Sequence, residues 1–168
     1  GRWKFLRSRP GNFPYIRIAQ LACLYYRAEG LLSRLMEKEQ LKELSDELKG
    51  GTSEYWIDHY RFGEPSLHLP KSLSRNSIEL IVINTVIPFL YAYGKHRLKP
   101  VLCERAARFL EELKPENNHI IRMWKECGLE AEHAGDSQAL IQLKKAYCDN
   151  KKCLFCRIGY EYFKNQRD

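Results

Sequence analysis

The sequence lacks every compact catalytic signature: it has no G-x-S-x-G nucleophile elbow, no Walker loop and no dinucleotide-binding fingerprint. Its five histidines, at 59, 68, 96, 119 and 133, never fall in an H-x3-H or H-E-x-x-H arrangement, which excludes a zinc-protease helix. No segment recurs at a period of about 20 to 50 residues and there is no low-complexity tract, so a solenoid is excluded. No apolar signal core follows Gly1, which is the residue a removed tag leaves. The longest apolar run, Ile78 to Tyr93, is interrupted by Glu79, Asn84 and Pro88; it is expected to fall short of a bilayer span and to form a buried helix. Acidic residues are the scarcer charge, 21 against 28 Lys and Arg, and the resulting net charge of +7 favours an anionic partner over a membrane span.

At 168 residues with 44% hydrophobic side chains, the chain is long and apolar enough to bury a core without disulfide staples. Reduced thiols in a cytoplasmic setting are therefore expected. The thiols themselves are unevenly placed. Cys148, Cys153 and Cys156 follow a C-x4-C-x2-C spacing found among iron–sulfur ligand sets, and a structural zinc or cluster site needs a fourth ligand. Cys127 is the best placed in sequence, with Cys103, His119 and His133 as alternatives. Against this stands a helical corner whose cysteines only pack as small hydrophobes or oxidise adventitiously. No other cofactor is expected.

Residue periodicity predicts an all-α fold, an irregular bundle of about six to eight helices. Over 12–30, Asn12 and Pro14 open a helix with Ile18, Leu21, Ala22 and Tyr25 on its apolar side. Leu31 to Leu48 makes one bent helix or two short ones. Thr52 to Pro70 reads as a short helix running into an irregular loop pinned by Tyr55, Trp56, Tyr60 and Phe62. Ser74 to His96 is a helix kinked at Pro88, and a helix after Pro100 places Leu102, Ala106, Phe109, Leu110 and Leu113 at helical spacing before Pro115. Asn117 or Asn118 caps the next, with Ile120, Ile121, Trp124 and Cys127 on one side, and Asp136 or Ser137 caps another, with Leu140, Leu143 and Tyr147 buried. A last helix starts near Lys152.

Residues 1–11 read as a basic linker or trimmed edge, and 12–168 as one helical domain. The first nine residues interleave Arg2, Lys4, Arg7 and Arg9 with Trp3 and Phe5; with Arg17 they form a candidate grip on DNA or RNA by charge and stacking. Asp58 beside His59 is read as a surface pair, because adjacent residues on a helix point apart. Glu116 to His119 is read as a helix cap, and Asn84 as a polar group that fixes packing if buried.

The run Arg9-Pro10-Gly11-Asn12-Phe13-Pro14 with Ile16 to Ala22 resembles an uncharacterised bacterial family catalogued as a domain of unknown function. So do Ile83-Asn84 with Pro88, Glu116-Asn117-Asn118 with Ile121 and Trp124, Ser137 to Leu140, and Tyr147-Cys148 with Cys153-Leu154, Cys156 and Ile158-Gly159. The resemblance implies the C-terminal part of a longer protein, whose N-terminal half carries acidic and histidine-containing strand motifs like those of restriction-type nucleases. None of those motifs is in this sequence, so no catalytic residue is carried over. The implied role is accessory: a chain not catalytic by itself that packs on an N-terminal domain of the same protein and orients DNA or RNA, or else a plain protein-interaction domain.

Overall fold

A computed structural model describes residues 9–27 and 29–165. The chain forms two compact units, Gly1–Leu90 and Tyr91–Asp168. Among the described residues the architecture is all-α with eight helices and one two-stranded hairpin.

In the first unit, a 3-10 turn over Pro10–Asn12 leads into α1 (Pro14–Arg27), and the two short helices α2 (Leu31–Glu37) and α3 (Leu41–Glu47) follow. The predicted apolar side of α1 is out of phase. Ile16 and Gln20 are buried, whereas Ile18, Leu21 and Tyr25 are more than half exposed. The buried polar group sets that phase, because the Gln20 amide donates to the Lys71 carbonyl (3.1 Å) and its oxygen accepts from Arg17 (2.9 Å). Phe13 and Ile16 close a small core with Trp56, against which Tyr15, Ala19 and Tyr60 pack.

The short helix expected after Thr52 is a 3-10 turn, Glu54–Ile57, and the loop expected to follow it contains an antiparallel hairpin of β1 (His59–Arg61) and β2 (Glu64–Pro65). Its strands are too short to carry an alternating pattern; the rings hold it, with Phe62 edge-on to Trp56 (4.9 Å) and to Tyr15 (5.3 Å).

Helix α4 runs from Arg75 to His96 without a break at Pro88. Ser74 caps it, its hydroxyl accepting from the Ser77 N–H. A π turn over Val82–Val86 lies immediately before the proline, and the Ile87 N–H reaches back five residues to the Val82 carbonyl. The widened turn absorbs the crowding and missing donor that Pro88 imposes. By length and composition alone this helix is apolar enough to cross a membrane, contrary to the expectation from its interruptions, a property that core helices share. Ile78, Val82, Ile83, Val86, Ile87 and Leu90 form its buried side. Asn84 is exposed, its amide donating to the Leu80 carbonyl (3.0 Å).

The second unit continues with α5 (Pro100–Glu112), which buries Leu102, Ala106 and Phe109 as its periodicity predicts, with Leu110 half-buried and Leu113 buried just beyond its end. Helix α6 (His119–Glu126) is capped by Asn118, whose Oδ1 accepts from the N–H groups of Ile120 (3.0 Å) and Ile121 (3.1 Å). Helix α7 spans Ala134–Leu143 and continues as a π turn, Lys144–Cys148. Its cap is His133, not Asp136 or Ser137: His133 Nδ1 accepts from the Asp136 N–H (3.2 Å), and Asp136 Oδ2 accepts from the His133 N–H (3.4 Å). Starting three residues early turns Ala134 and Ser137 inward and leaves Leu140, Leu143 and Tyr147 only half-buried. A 3-10 turn, Cys153–Phe155, precedes α8 (Arg157–Lys164), which therefore begins five residues after Lys152.

Candidate functional site

Most polar groups singled out in the sequence serve the fold. Arg2, Lys4 and Arg7 lie outside the described residues. Arg9 is exposed, but the Arg17 guanidinium is engaged with Gln20, with Asn12 Oδ1 (2.6 Å) and with Ser77 Oγ (3.4 Å), holding α1 to the turn before it and to α4. His59 is not paired with Asp58. Its Nδ1 donates to the Tyr55 carbonyl (2.9 Å) and its ring stacks on that of Tyr55 (4.1 Å), while Asp58 Oδ1 accepts from His68 Nδ1 (2.7 Å) in an exposed pair that sequence adjacency could not show. Glu116 receives Gln138 Nε2 (2.8 Å), and its own N–H donates to Ser137 Oγ (3.2 Å).

One buried cation was missed. The Lys71 side chain turns inward and donates to the carbonyls of Ile57 (2.6 Å) and Leu69 (3.1 Å), with its ammonium 4.2 Å from the Tyr60 ring centre. Burial pushes its pKa below the ordinary lysine value, and the carboxylate of Asp58 opposes that shift. Each of these side-chain contacts is to the segment around the hairpin, so the Lys71 ammonium acts as a staple for it.

The thiols differ in exposure. Cys148, Cys153 and Cys127 are exposed, Cys156 is buried, and Cys103 is half-buried with its Sγ near the Tyr91 carbonyl (3.6 Å). Cys127 closes α6 instead of lying on its apolar side. Among the described residues no three His, Cys, Asp or Glu side chains are gathered as a metal ion would need, and His133 Nδ1 is already occupied by its helix cap.

A different constellation stands out at the corner between α4 and α5. Lys95, His96, Arg97, Leu98, Lys99 and Pro100 are consecutively exposed, and Leu98 sits at the tip, 89% exposed, in the left-handed region (φ 54°). The Lys99 N–H closes the turn on the Gly94 carbonyl (2.8 Å). Gly94 permits the close approach of the two helices, because a Cβ there would lie 2.9 Å from both Cys103 Sγ and Leu102 Cβ. Lys95 lies over the Tyr91 ring and Arg97 over the Tyr93 ring, each 5.6 Å from the ring centre. Among the described residues none of these four basic side chains forms an ion pair with a carboxylate. The helix dipole accounts for a cation in the last turn of α4, but Arg97 and Lys99 lie beyond that turn. The signal was legible as a basic run ahead of Pro100.

Fold and site together define an all-α chain with a preformed cationic corner. The chain belongs to the family described as protein of unknown function (DUF2851), which matches residues 1–119 and so includes that corner. No curated protein matches it, and no solved structure does.

Proposed function

We propose that this chain is a non-enzymatic helical module that binds nucleic acid through backbone phosphates, with the corner from Lys95 to Lys99 as its main contact. The carrying observation is the unpaired, exposed cation set on a turn whose backbone is closed by hydrogen bonds. Such an arrangement presents charge without first breaking internal ion pairs, and phosphate contacts of this type position a protein without selecting sequence. Arg9 and the basic residues before it add to the same tendency, while Arg17 is withdrawn from it by its internal hydrogen bonds.

Fluorescence anisotropy with labelled duplex and single-stranded oligonucleotides tests this, over roughly 50 to 200 mM salt. Affinity is expected to fall steeply with salt. Replacing Lys95, Arg97 and Lys99 together with Ala should flatten the log–log slope on duplex by up to about 3. Absent binding at low salt, or a slope untouched by the triple replacement, overturns the proposal.

A second role, protein interaction, is favoured by one specific observation. The outward side of α1 exposes Ile18 (52%), Leu21 (54%), Tyr25 (68%) and Tyr26 (90%), a largely apolar stripe. The occupant implied by the family resemblance is a preceding domain of the same polypeptide. Co-purification of the two separately expressed parts, abolished by Leu21→Asp with Tyr25→Asp, is the expected result; association unaffected by those changes refutes it.

A further inference from the structure

We infer that the end of the second unit, from Lys145 to Lys164, is a stacking platform that makes the proposed nucleic-acid binding preferential for single strands. None of the residues of α8 is buried. Ile158 is 58% exposed, Tyr160 54%, Tyr162 60% and Phe163 46%; the turn before them shows Leu154 at 76% and Phe155 at 83%. A soluble helix ordinarily turns such residues onto a core, whereas here they stay exposed on both sides of α8.

Charge identifies the occupant. Between Lys144 and Lys164 the sequence places Lys144, Lys145, Lys151, Lys152, Arg157 and Lys164 against Asp149 and Glu161 alone. Lys144 is paired with Asp149, and Arg157 with Glu161 (2.7 Å). Lys145, Lys151, Lys152 and Lys164 are exposed with no carboxylate partner among the described residues, so the rings sit inside a positive frame and call for an anion.

Geometry separates two anionic occupants. At about 100° per residue, Ile158 and Tyr162 fall on one side of α8 while Tyr160 and Phe163 fall on the other. A bilayer surface can accept only one side of a helix at a time, and inserting tyrosine hydroxyls into hydrocarbon is unfavourable. A flexible strand can pass around the helix, laying bases on successive rings while its phosphates meet the lysines. Duplex bases are already stacked and cannot use the rings.

The platform is also held in shape. Gly159 sits directly on the backbone of Cys153: a Cβ there would lie 2.2 Å from the Cys153 carbonyl oxygen, so α8 and the turn carrying Phe155 are in backbone contact. Lys151 adopts the left-handed region (φ 53°), and its N–H closes on the Cys148 carbonyl (3.0 Å). Tyr162 and Phe163 meet edge to face (5.6 Å). Rings fixed before binding lose little freedom on stacking.

The inference rests on the proposed function, and its test separates the two. The full chain is titrated with a labelled single strand, with the matched duplex, and with phosphatidylserine vesicles, as wild type and as Phe155→Ala and Tyr160→Ala. Both side chains are exposed enough for their removal to leave the thermal melt unchanged, and circular dichroism checks this. Each replacement is expected to weaken single-strand binding by roughly 5- to 100-fold while leaving duplex affinity and the salt slope in place. Single-strand affinity indifferent to both replacements sinks the platform and leaves the Lys95–Lys99 proposal standing. No binding of either nucleic acid at low salt removes both. Ring-dependent vesicle binding without ring-dependent strand binding overturns the inference in favour of a lipid surface.

Discussion

Gly159→Ala should open the C-terminal corner. The added methyl group would meet the Cys153 carbonyl oxygen at 2.2 Å, its carbon at 2.9 Å and its Cα at 3.1 Å. Ordinary carbon–oxygen contact begins at about 3.3 Å, so α8 and the 3-10 turn must part by roughly 1 Å. The obstacle is backbone and has no rotamer by which to move aside. Overpacking of this kind costs about 1 to 3 kcal/mol, and an intermediate value of about 2 raises the open population roughly 30-fold. Cys156 reports on it, being 8% exposed where Cys148 and Cys153 are exposed. Native-state thiol labelling resolved by peptide mass spectrometry should show Cys156 slowest in the wild type and about 30-fold faster in the variant, with Cys148 and Cys153 unchanged. Gly50→Ala is the control, since nothing lies within 4 Å of a Cβ at that position. Equal labelling rates at Cys156 in wild type and Gly159→Ala would refute the assignment of that glycine to close contact.

Lys71→Met removes two donors from the carbonyls of Ile57 and Leu69 and should destabilise the chain by about 2 kcal/mol in urea titration. Because burial lowers the Lys71 pKa, the unfolded chain holds more protons in the window from that lowered value up to the ordinary 10.5; the wild type should therefore gain stability relative to Lys71→Met as pH rises through that window, and a constant difference argues against the buried ammonium. Asn118→Ala frees the N–H groups of Ile120 and Ile121 and should cost about 1 kcal/mol, read from the same titration, while Asn117→Ala should cost far less.

The fold class and the core of α5 were legible because both follow from apolar spacing alone, and Leu102, Ala106 and Phe109 occupy the expected face. Elements placed by polar contacts were not. Spacing put Ile18, Leu21 and Tyr25 inside, yet two hydrogen bonds to the Gln20 side chain outweigh that preference, and no local pattern announces a partner 51 residues away. The same holds for the start of α7. Asp and Ser are the usual cap residues, but here histidine accepts the N–H bond and aspartate completes the box from inside the helix. The hairpin escaped notice because its strands are three and two residues long, and the rings that hold it were read only as pins for a loop. At Pro88 the proline itself was legible, but the π turn that precedes it was not, since no residue type marks one. The cation set from Lys95 to Lys99 was visible as residues; that the turn leaves them unpaired and exposed was not.

The cysteine spacing and the cationic corner are opposite cases of the same problem. Three thiols in nine residues suggest convergence; between a π turn at Lys144–Cys148 and the helix that starts at Arg157, Cys156 is buried while Cys148 and Cys153 are exposed. Lys95, Arg97 and Lys99 fall within five residues, and the turn that carries them, closed on Gly94, leaves all three exposed without a carboxylate partner among the described residues. Several polar groups elsewhere are committed to the fold: Lys71 to carbonyls, Arg17 to side-chain amide oxygens and a hydroxyl, His133 to a helix end, Glu116 to Gln138. On the proposed reading, cations and rings facing solvent hold a polyanion without any of those committed groups having to move.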